Sequence, residues 1–123
     1  MAERPPPAGQ FDITIIYEDD AILVVDKPGN LPVHPSGRYF FHSLLTQLRV
    51  QNGNEVDQKK EFYLVHRIDR ETSGLLVIGK TSAAAANLVA QWDKKAVFKE
   101  YLAIVKGNVR EDSFLIDAPL ARD

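Results

Sequence analysis

The chain has 123 residues and a formal net charge of -2, with 45% apolar and 26% charged side chains, which is typical of one globular domain. The absence of cysteine excludes a disulfide scaffold, a thiolate zinc site and a cysteine nucleophile. No apolar run approaches the roughly 18 residues of a membrane helix. Residues 1–10 contain three consecutive prolines and no apolar core, so we expect a disordered leader and no secretory signal. These features predict a cytoplasmic protein, and the net charge taken alone argues against nucleic acid as a partner.

The first part of the chain predicts a hairpin, a turn and a helix. Two apolar runs, Ile13–Tyr17 and Ile22–Val25, flank a short acidic segment, as in a β-hairpin. Lys27–Asn30 is a Pro-Gly turn sequence. Phe41–Val50 carries three leucines on one helical face and predicts a helix. The polar stretch Gln51–Lys60 that follows is expected to be a loop.

The second part predicts four more strands and a second helix. Phe62–Val65 and Gly74–Gly79 are short apolar runs of strand length, and Ala83–Trp92 is an alanine-rich helical segment. Lys99–Lys106 is apolar on both faces, which is typical of a central strand, and Phe114–Ile116 predicts a last short strand. The expected fold class is therefore α+β, with a mixed, mainly antiparallel sheet and two helices.

The densest group of polar residues lies between the two predicted strands 62–65 and 74–79. In it, Asp69 stands between Arg67 and Arg70. Nearby guanidinium groups favour the ionised form of a carboxylate, and an ionised carboxylate can act as a nucleophile or a base. The alternative is an ordinary turn in which Asp and Thr side chains accept backbone N–H bonds. Spacing alone favours that alternative.

Two other patterns point to binding sites, but only weakly. Gly74–Thr81 matches the Gly-x-x-x-x-Gly-Lys-Ser/Thr pattern of a phosphate-binding loop. Its four intervening residues are Leu-Leu-Val-Ile, however, and strand pairing would occupy the N–H groups that a phosphate needs. The three histidines, His34, His42 and His66, are widely spaced and form no metal-binding motif. We therefore predict neither a nucleotide site nor a metal site.

The segment His66–Leu75 closely resembles the signature of the RluA family of RNA pseudouridine synthases, His-Arg-Leu-Asp-x-x-Thr-Ser-Gly-Leu. The one departure is Ile68 in place of Leu. The resemblance extends over residues 12–123 in the family's order. The other similar segments are Tyr17–Asp20, Val25–Gly29, Leu31–Pro35, Ala83–Leu88 and the tyrosine motif Lys99–Gly107.

The resemblance implies the pseudouridine synthase fold and the isomerisation of specific uridines in structured ribosomal or transfer RNA, without cofactor or metal. It implies that Asp69 is the catalytic nucleophile and that Tyr101 stacks on the uracil and assists loss of the C5 proton. Arg67 would hold the flipped nucleotide, with Arg70 as a further substrate-binding residue. Three residues would shape the loop around Asp69, and the Lys27-Pro28 turn would support it. The loop-shaping residues are Thr72, Ser73 and Gly74.

The charge objection to RNA weakens when charges are counted by position. Residues 62–110 contain eight Lys or Arg and four Asp or Glu, a local net charge of +4. Residues 1–61 and 111–123 each carry a net charge of -3. The stretch that contains Asp69 and Tyr101 is therefore basic, as contacts to RNA phosphates require.

The family's later motif, Gly-Arg-Thr-His-Gln-Ile-Arg-Val-His, has no counterpart in this chain. Residues 11–123 are therefore interpreted as the first half of a pseudouridine synthase catalytic domain. The alternative is a truncated, non-catalytic module that binds RNA or assembles with a partner. A half-sheet would expose an edge strand and apolar surface, so self-association of such a truncated chain is expected. A carboxylate-dependent glycosidase is disfavoured, because only Asp69 has a motif around it.

Overall fold

The computed structural model describes residues 12–35, 37, 42–51 and 61–122. Over these residues the chain forms four strands and two helices, and the strands make one antiparallel sheet in the order β1-β2-β4-β3. This confirms the predicted α+β class. The leader at residues 1–10 and most of the loop at 51–60 lie outside the described residues. The elements are β1 Thr14–Glu18, β2 Ile22–Lys27, α1 Leu44–Gln51, β3 Tyr63–Leu64, β4 Gly74–Gly79 and α2 Ser82–Asp93.

The predicted hairpin is confirmed, and Asp19 explains its turn. The Asp19 carboxylate accepts hydrogen bonds from the N–H groups of Ala21 and Ile22, each at 2.8 Å. This local bonding is what makes an aspartate favourable in a turn. The register between β1 and β2 shifts between Ile15 and Tyr17, which marks a β-bulge in the edge strand.

The core lies on one face of the sheet and is covered by α1. Alternate side chains of β2 and β4 are almost fully buried there, as the two-residue period of a strand requires. The α1 helix begins at Leu44, where Ser43 Oγ accepts the Thr46 N–H at 3.4 Å. All three leucines of α1 are buried, as the sequence predicts. The main core residues are Leu23, Val25, Leu31, Val33, Leu44, Leu48, Ile68, Leu76 and Ile78.

The second helix, α2, packs on β4 and β3. Its first turn is capped by Thr81, whose Oγ1 accepts the Ala84 N–H at 3.1 Å. A Cβ atom on Gly79 would lie 3.0 Å from the Cβ of Ala85, so only glycine lets the helix approach the strand this closely. No residue of α2 is fully buried.

The predicted strands at 99–106 and 114–116 are wrong, because no strand or helix occurs in residues 96–122. This segment is exposed almost throughout, and Leu102 and Ile104 are fully accessible. The apolar residues on both faces of the segment 99–106 indicate that both faces have to be covered by other parts of the protein. A strand also requires a partner, and none of the four described strands pairs with this segment. The predicted strand at 62–65 likewise shortens to Tyr63–Leu64.

A buried lysine joins the turn after β2 to residues 65–73, which we call the Asp69 loop. The side chain of Lys27 is fully buried, and its Nζ donates to the carbonyl oxygens of Pro28 at 2.8 Å, Leu31 at 2.6 Å and Arg70 at 3.1 Å. Burial lowers the pKa of Lys27, and the nearby Glu71 carboxylate opposes this shift. Three carbonyls from two segments of the chain therefore accept hydrogen bonds from a single ammonium group, which links the two segments.

Replacing Lys27 with methionine keeps the length of the side chain but leaves these carbonyls without their donor. We expect Lys27→Met to lower the free energy of unfolding by about 2 to 4 kcal/mol, because a buried polar group without a partner retains its desolvation cost. Urea unfolding of the chain at neutral pH measures this change. The matched control is Lys106→Met, at an exposed position. Equal stability of the two variants would contradict the structural role of Lys27.

Candidate active site in the Asp69 loop

The Asp69 loop connects β3 to β4, and among its exposed side chains are Arg67 and Asp69. Arg67 and Asp69 are exposed, whereas Ile68 between them is only 8% exposed and belongs to the core. Because successive side chains of an extended segment point in opposite directions, burying Ile68 turns its two neighbours outward. The core thereby directs the Asp69 carboxylate toward solvent, where a substrate could reach it.

Contacts before and after Asp69 fix the loop. At its start, His66 Nε2 accepts the Val77 N–H of β4 at 3.0 Å. After Asp69, the Arg70 carbonyl accepts from Lys27 Nζ, and the Thr72 N–H donates to the Asp69 carbonyl at 3.1 Å. The backbone of Asp69 therefore lies in a closed turn with anchors on both sides. Such support is what a reacting group needs in order to be held in place.

Of the two arginines that flank Asp69, Arg70 forms an ion pair with Glu71. Arg70 Nη2 lies 2.7 Å from Glu71 Oε1, and its Nε donates to the same oxygen at 2.9 Å. The Glu71 backbone N–H and then Arg70 hold the pKa of Glu71 below its usual range. Asp69 forms no ion pair with any described residue. In the part of the chain that the structure describes, neither flanking arginine therefore forms an ion pair with Asp69.

Among the predicted loop-shaping residues, Gly74 has a clear conformational role. Its φ of 126° lies in a region that favours glycine, at the point where the loop enters β4. The hydroxyls of Thr72 and Ser73 make no hydrogen bond to a described residue. The loop is closed by the main-chain N–H of Thr72.

Tyr101 lies in the exposed segment 96–122. Its side chain is 64% exposed and makes no hydrogen bond or ring contact with the described residues. The structure therefore places Arg67, Asp69 and Arg70 on one loop, and it shows no hydrogen bond between Tyr101 and a described residue of that loop. The predicted role of Tyr101 stays a prediction.

Two features of this site were not predicted from the sequence. The first is the full burial of Lys27, because lysine is seldom fully buried. The second is the stacking of the half-buried His66 ring on Trp92 of α2, with ring centroids 4.4 Å apart and an interplanar angle of 26°. The apolar face of α2 contains Trp92, but nothing in the sequence pairs that tryptophan with His66.

The structure excludes the phosphate-loop interpretation of Gly74–Thr81. Residues 74–79 are β4, which pairs with β2 along its whole length and with β3 at Ile78 and Gly79, so they form a strand and not a cradle of N–H groups. The Lys80 ammonium lies 2.8 Å from the Glu18 carboxylate and also donates to the Asp19 carbonyl. Within residues 12–35, 37, 42–51 and 61–122, no three His, Asp or Glu side chains cluster in a way that could hold a metal ion. In the same ranges, no helix is long and apolar enough to cross a membrane.

Comparison with known proteins points to one family. Residues 21–122 match the RNA pseudouridylate synthase family. The mitochondrial tRNA pseudouridine(32) synthase of Saccharomyces cerevisiae is 39% identical over 94% of this chain and 24% of its own length. An uncharacterized RNA pseudouridine synthase of Aquifex aeolicus is 41% identical over 89% of this chain and 35% of its length. Ribosomal large subunit pseudouridine synthase D of Nitrosomonas europaea is 36% identical over 94% and 33%.

Solved structures agree on the fold. Human RNA Pseudouridylate Synthase Domain Containing 4 superposes with a TM-score of 0.54 at 26% identity, over 68% of this chain and 30% of that one. Human RNA Pseudouridylate Synthase Domain Containing 1 gives a TM-score of 0.55 at 23% identity, over 75% and 31%. The chain thus spans about a quarter to a third of the length of the relatives it matches, and its fold is part of the pseudouridine synthase fold. It belongs to the RNA pseudouridylate synthase family, and its motifs are those of the RluA group.

Proposed function

We propose that this chain supplies the catalytic aspartate, Asp69, of an enzyme that isomerises uridine in RNA to pseudouridine. The Asp69 carboxylate attacks C1′ of the ribose, and the bond from C1′ to N1 of uracil breaks. The detached uracil turns, and its C5 bonds to C1′ as the bond to Asp69 breaks. The C5 proton then leaves to a base, and N1 gains a proton, so the product is an isomer of the substrate.

The observation that carries this proposal is the presentation of Asp69. Its carboxylate is exposed, while the residues around it are tied to the core by Ile68, to β4 by His66 and to the turn after β2 by Lys27. A nucleophile in such a loop reaches a bound nucleotide without reordering its own backbone, which removes an entropic part of the barrier. His66, Ile68 and Asp69 lie within the segment His66–Leu75 that resembles the RluA signature.

The remaining roles extend the proposal to the substrate. Arg67 is exposed beside Asp69, and a guanidinium there can stack on a base or bind a phosphate. Arg70 is a weaker candidate for substrate binding because its guanidinium is engaged with Glu71. Tyr101, from its motif, would contact the extruded uracil. The partner is RNA, ribosomal or transfer, and the expected location is the cytoplasm, although the yeast relative is named as mitochondrial.

Release of tritium from RNA that contains C5-labelled uridine measures the reaction directly. In the product of the complete reading frame that encodes this chain, we expect Asp69→Asn to reduce release by about 1,000-fold or more, because the amide is not a nucleophile. The matched control is Asp20→Asn at the exposed tip of the β1–β2 hairpin, which should retain activity. Undiminished release by a folded Asp69→Asn protein would overturn the proposal.

A second candidate function is a non-catalytic module that binds RNA or assembles with a partner. One observation favours it for these 123 residues by themselves, namely the exposed apolar side chains of the segment 96–122. Soluble monomers seldom leave so many large apolar side chains of one segment uncovered. Binding of this chain to RNA, with affinity that falls steeply as salt increases, together with absent tritium release from the complete product, would favour the module.

The exposed segment also predicts self-association of the 123-residue chain. Light scattering at protein concentrations between about 1 and 100 µM should show a mass that increases with concentration. Chains that expose apolar side chains and unpaired backbone groups associate at such concentrations. Replacing both Leu102 and Ile104 with aspartate should reduce the increase, since these side chains are fully exposed. A constant monomer mass in the unaltered chain would contradict this expectation.

A further inference from the structure

His66 lies where the main chain leaves the sheet. β3 pairs with β4 only at Tyr63 with Gly79 and Leu64 with Ile78. Continuing this antiparallel register would place residue 65 opposite Val77, but no third pair forms. The Val77 N–H instead donates to His66 Nε2 at 3.0 Å. The imidazole therefore replaces the main-chain acceptor that a longer β3 would provide.

The contact fixes the chemical form of the ring. A nitrogen that accepts an N–H bond must carry a free lone pair, so His66 is neutral and its proton is on Nδ1. A protonated imidazole would present an N–H group to the Val77 N–H, and the hydrogen bond would be lost. The ring is held in this orientation by stacking on Trp92 of α2.

The surroundings of the ring also favour the neutral form. Val77 of β4 and Trp92 of α2, which contact the imidazole, do not titrate, and the charged group that acts on it is Lys99. Burial first, and the positive charge of Lys99 second, lower the pKa of His66. The sign of the resulting pH dependence follows from this lowered pKa. The contact is complete above the ordinary histidine value of about 6.5 and is lost as the pH falls through the lower value in the folded protein.

We propose that His66 is a positioning residue for Asp69. Its neutral imidazole ends β3 by capping the Val77 N–H, and this contact fixes the start of the Asp69 loop three residues before the nucleophile. Trp92 holds the ring in place, so α2 also supports the loop. For catalysis the proposal rests on the proposed function of Asp69. The placement of the loop can be measured independently of any activity.

Two substitutions separate hydrogen bonding from packing. His66→Gln retains an acceptor, the side-chain amide oxygen, and does not titrate. His66→Phe retains an aromatic ring for Trp92 but has no acceptor. A residue that only fills space would tolerate phenylalanine better than glutamine, whereas a residue that caps the Val77 N–H would tolerate glutamine better.

The first test uses the 123-residue chain and its only tryptophan, Trp92. Tryptophan fluorescence followed from about pH 8 to pH 4.5 should show one transition with a midpoint below the ordinary histidine value of about 6.5. His66→Gln should abolish the transition, and the matched control His34→Gln, at an exposed histidine, should retain it. A transition that persists in His66→Gln would overturn the proposal.

The second test follows hydrogen exchange of the Val77 amide. We expect the protection factor of this amide, the factor by which its exchange is slower than that of an unstructured amide at the same pH, to fall about tenfold in His66→Phe at neutral pH. It should fall similarly in the unaltered chain below the transition, because the amide loses its acceptor. His66→Gln should keep most of the protection at both pH values. Val77 protection in His66→Phe that equals the unaltered chain would overturn the proposal.

The third test measures tritium release by the product of the complete reading frame. His66→Phe should lower kcat more than it raises KM, on the order of 10- to 100-fold, because the nucleophile is misplaced. His66→Gln should restore part of kcat and remove the acid limb of the pH profile. If the unaltered protein releases no tritium, the proposed function is wrong. The fluorescence and exchange results then still decide whether His66 positions the loop.

Discussion

The hydrogen bonds of the Lys27 ammonium to three carbonyls are the interaction on which the arrangement of this site depends. Burying a lysine is costly unless its charge is well solvated by protein dipoles, and here the carbonyls of Pro28, Leu31 and Arg70 provide that solvation. Two of these carbonyls belong to the turn after β2, and the third belongs to the loop that carries Asp69. Because the lysine is fully buried, its contacts cannot be exchanged for water without opening the core.

The Asp69 loop is therefore held from three directions. Lys27 fixes its second half to the turn after β2, Ile68 fixes its middle to the core, and His66 fixes its beginning to β4. Close packing supports the same arrangement, since a Cβ on Gly29 would lie only 3.3 Å from the Glu71 carbonyl oxygen. The exposed carboxylate of Asp69 is thus presented by a rigid backbone, which suits a group that forms and breaks a covalent bond.

The sequence predicts local structure well where local interactions decide it. The β1–β2 hairpin, α1 and β4 follow from alternation, helical period and turn residues, and the left-handed Asn30, with φ of 61°, fits the predicted Pro-Gly turn. The loop at residues 65–73 also follows from the sequence, because its polar residues lie between the two apolar runs that contain β3 and β4. The predicted strand at 99–106 fails because strand formation requires a neighbouring strand as well as an apolar pattern.

The contacts that support Asp69 join residues distant in the chain, and no local pattern reports them. Lys27 contacts Arg70, which lies 43 positions away in the chain, and the imidazole of His66 stacks on Trp92 because α2 packs on β3 and β4.

The dependence of Asp69 on Lys27 is tested most directly by a double-mutant cycle on kcat for uridine isomerisation, made under conditions in which all variants are folded. We expect Lys27→Met to lower kcat in the unaltered background and to have no further effect in Asp69→Asn, because both act through one nucleophile. An unchanged kcat in folded Lys27→Met would contradict the dependence of Asp69 on Lys27.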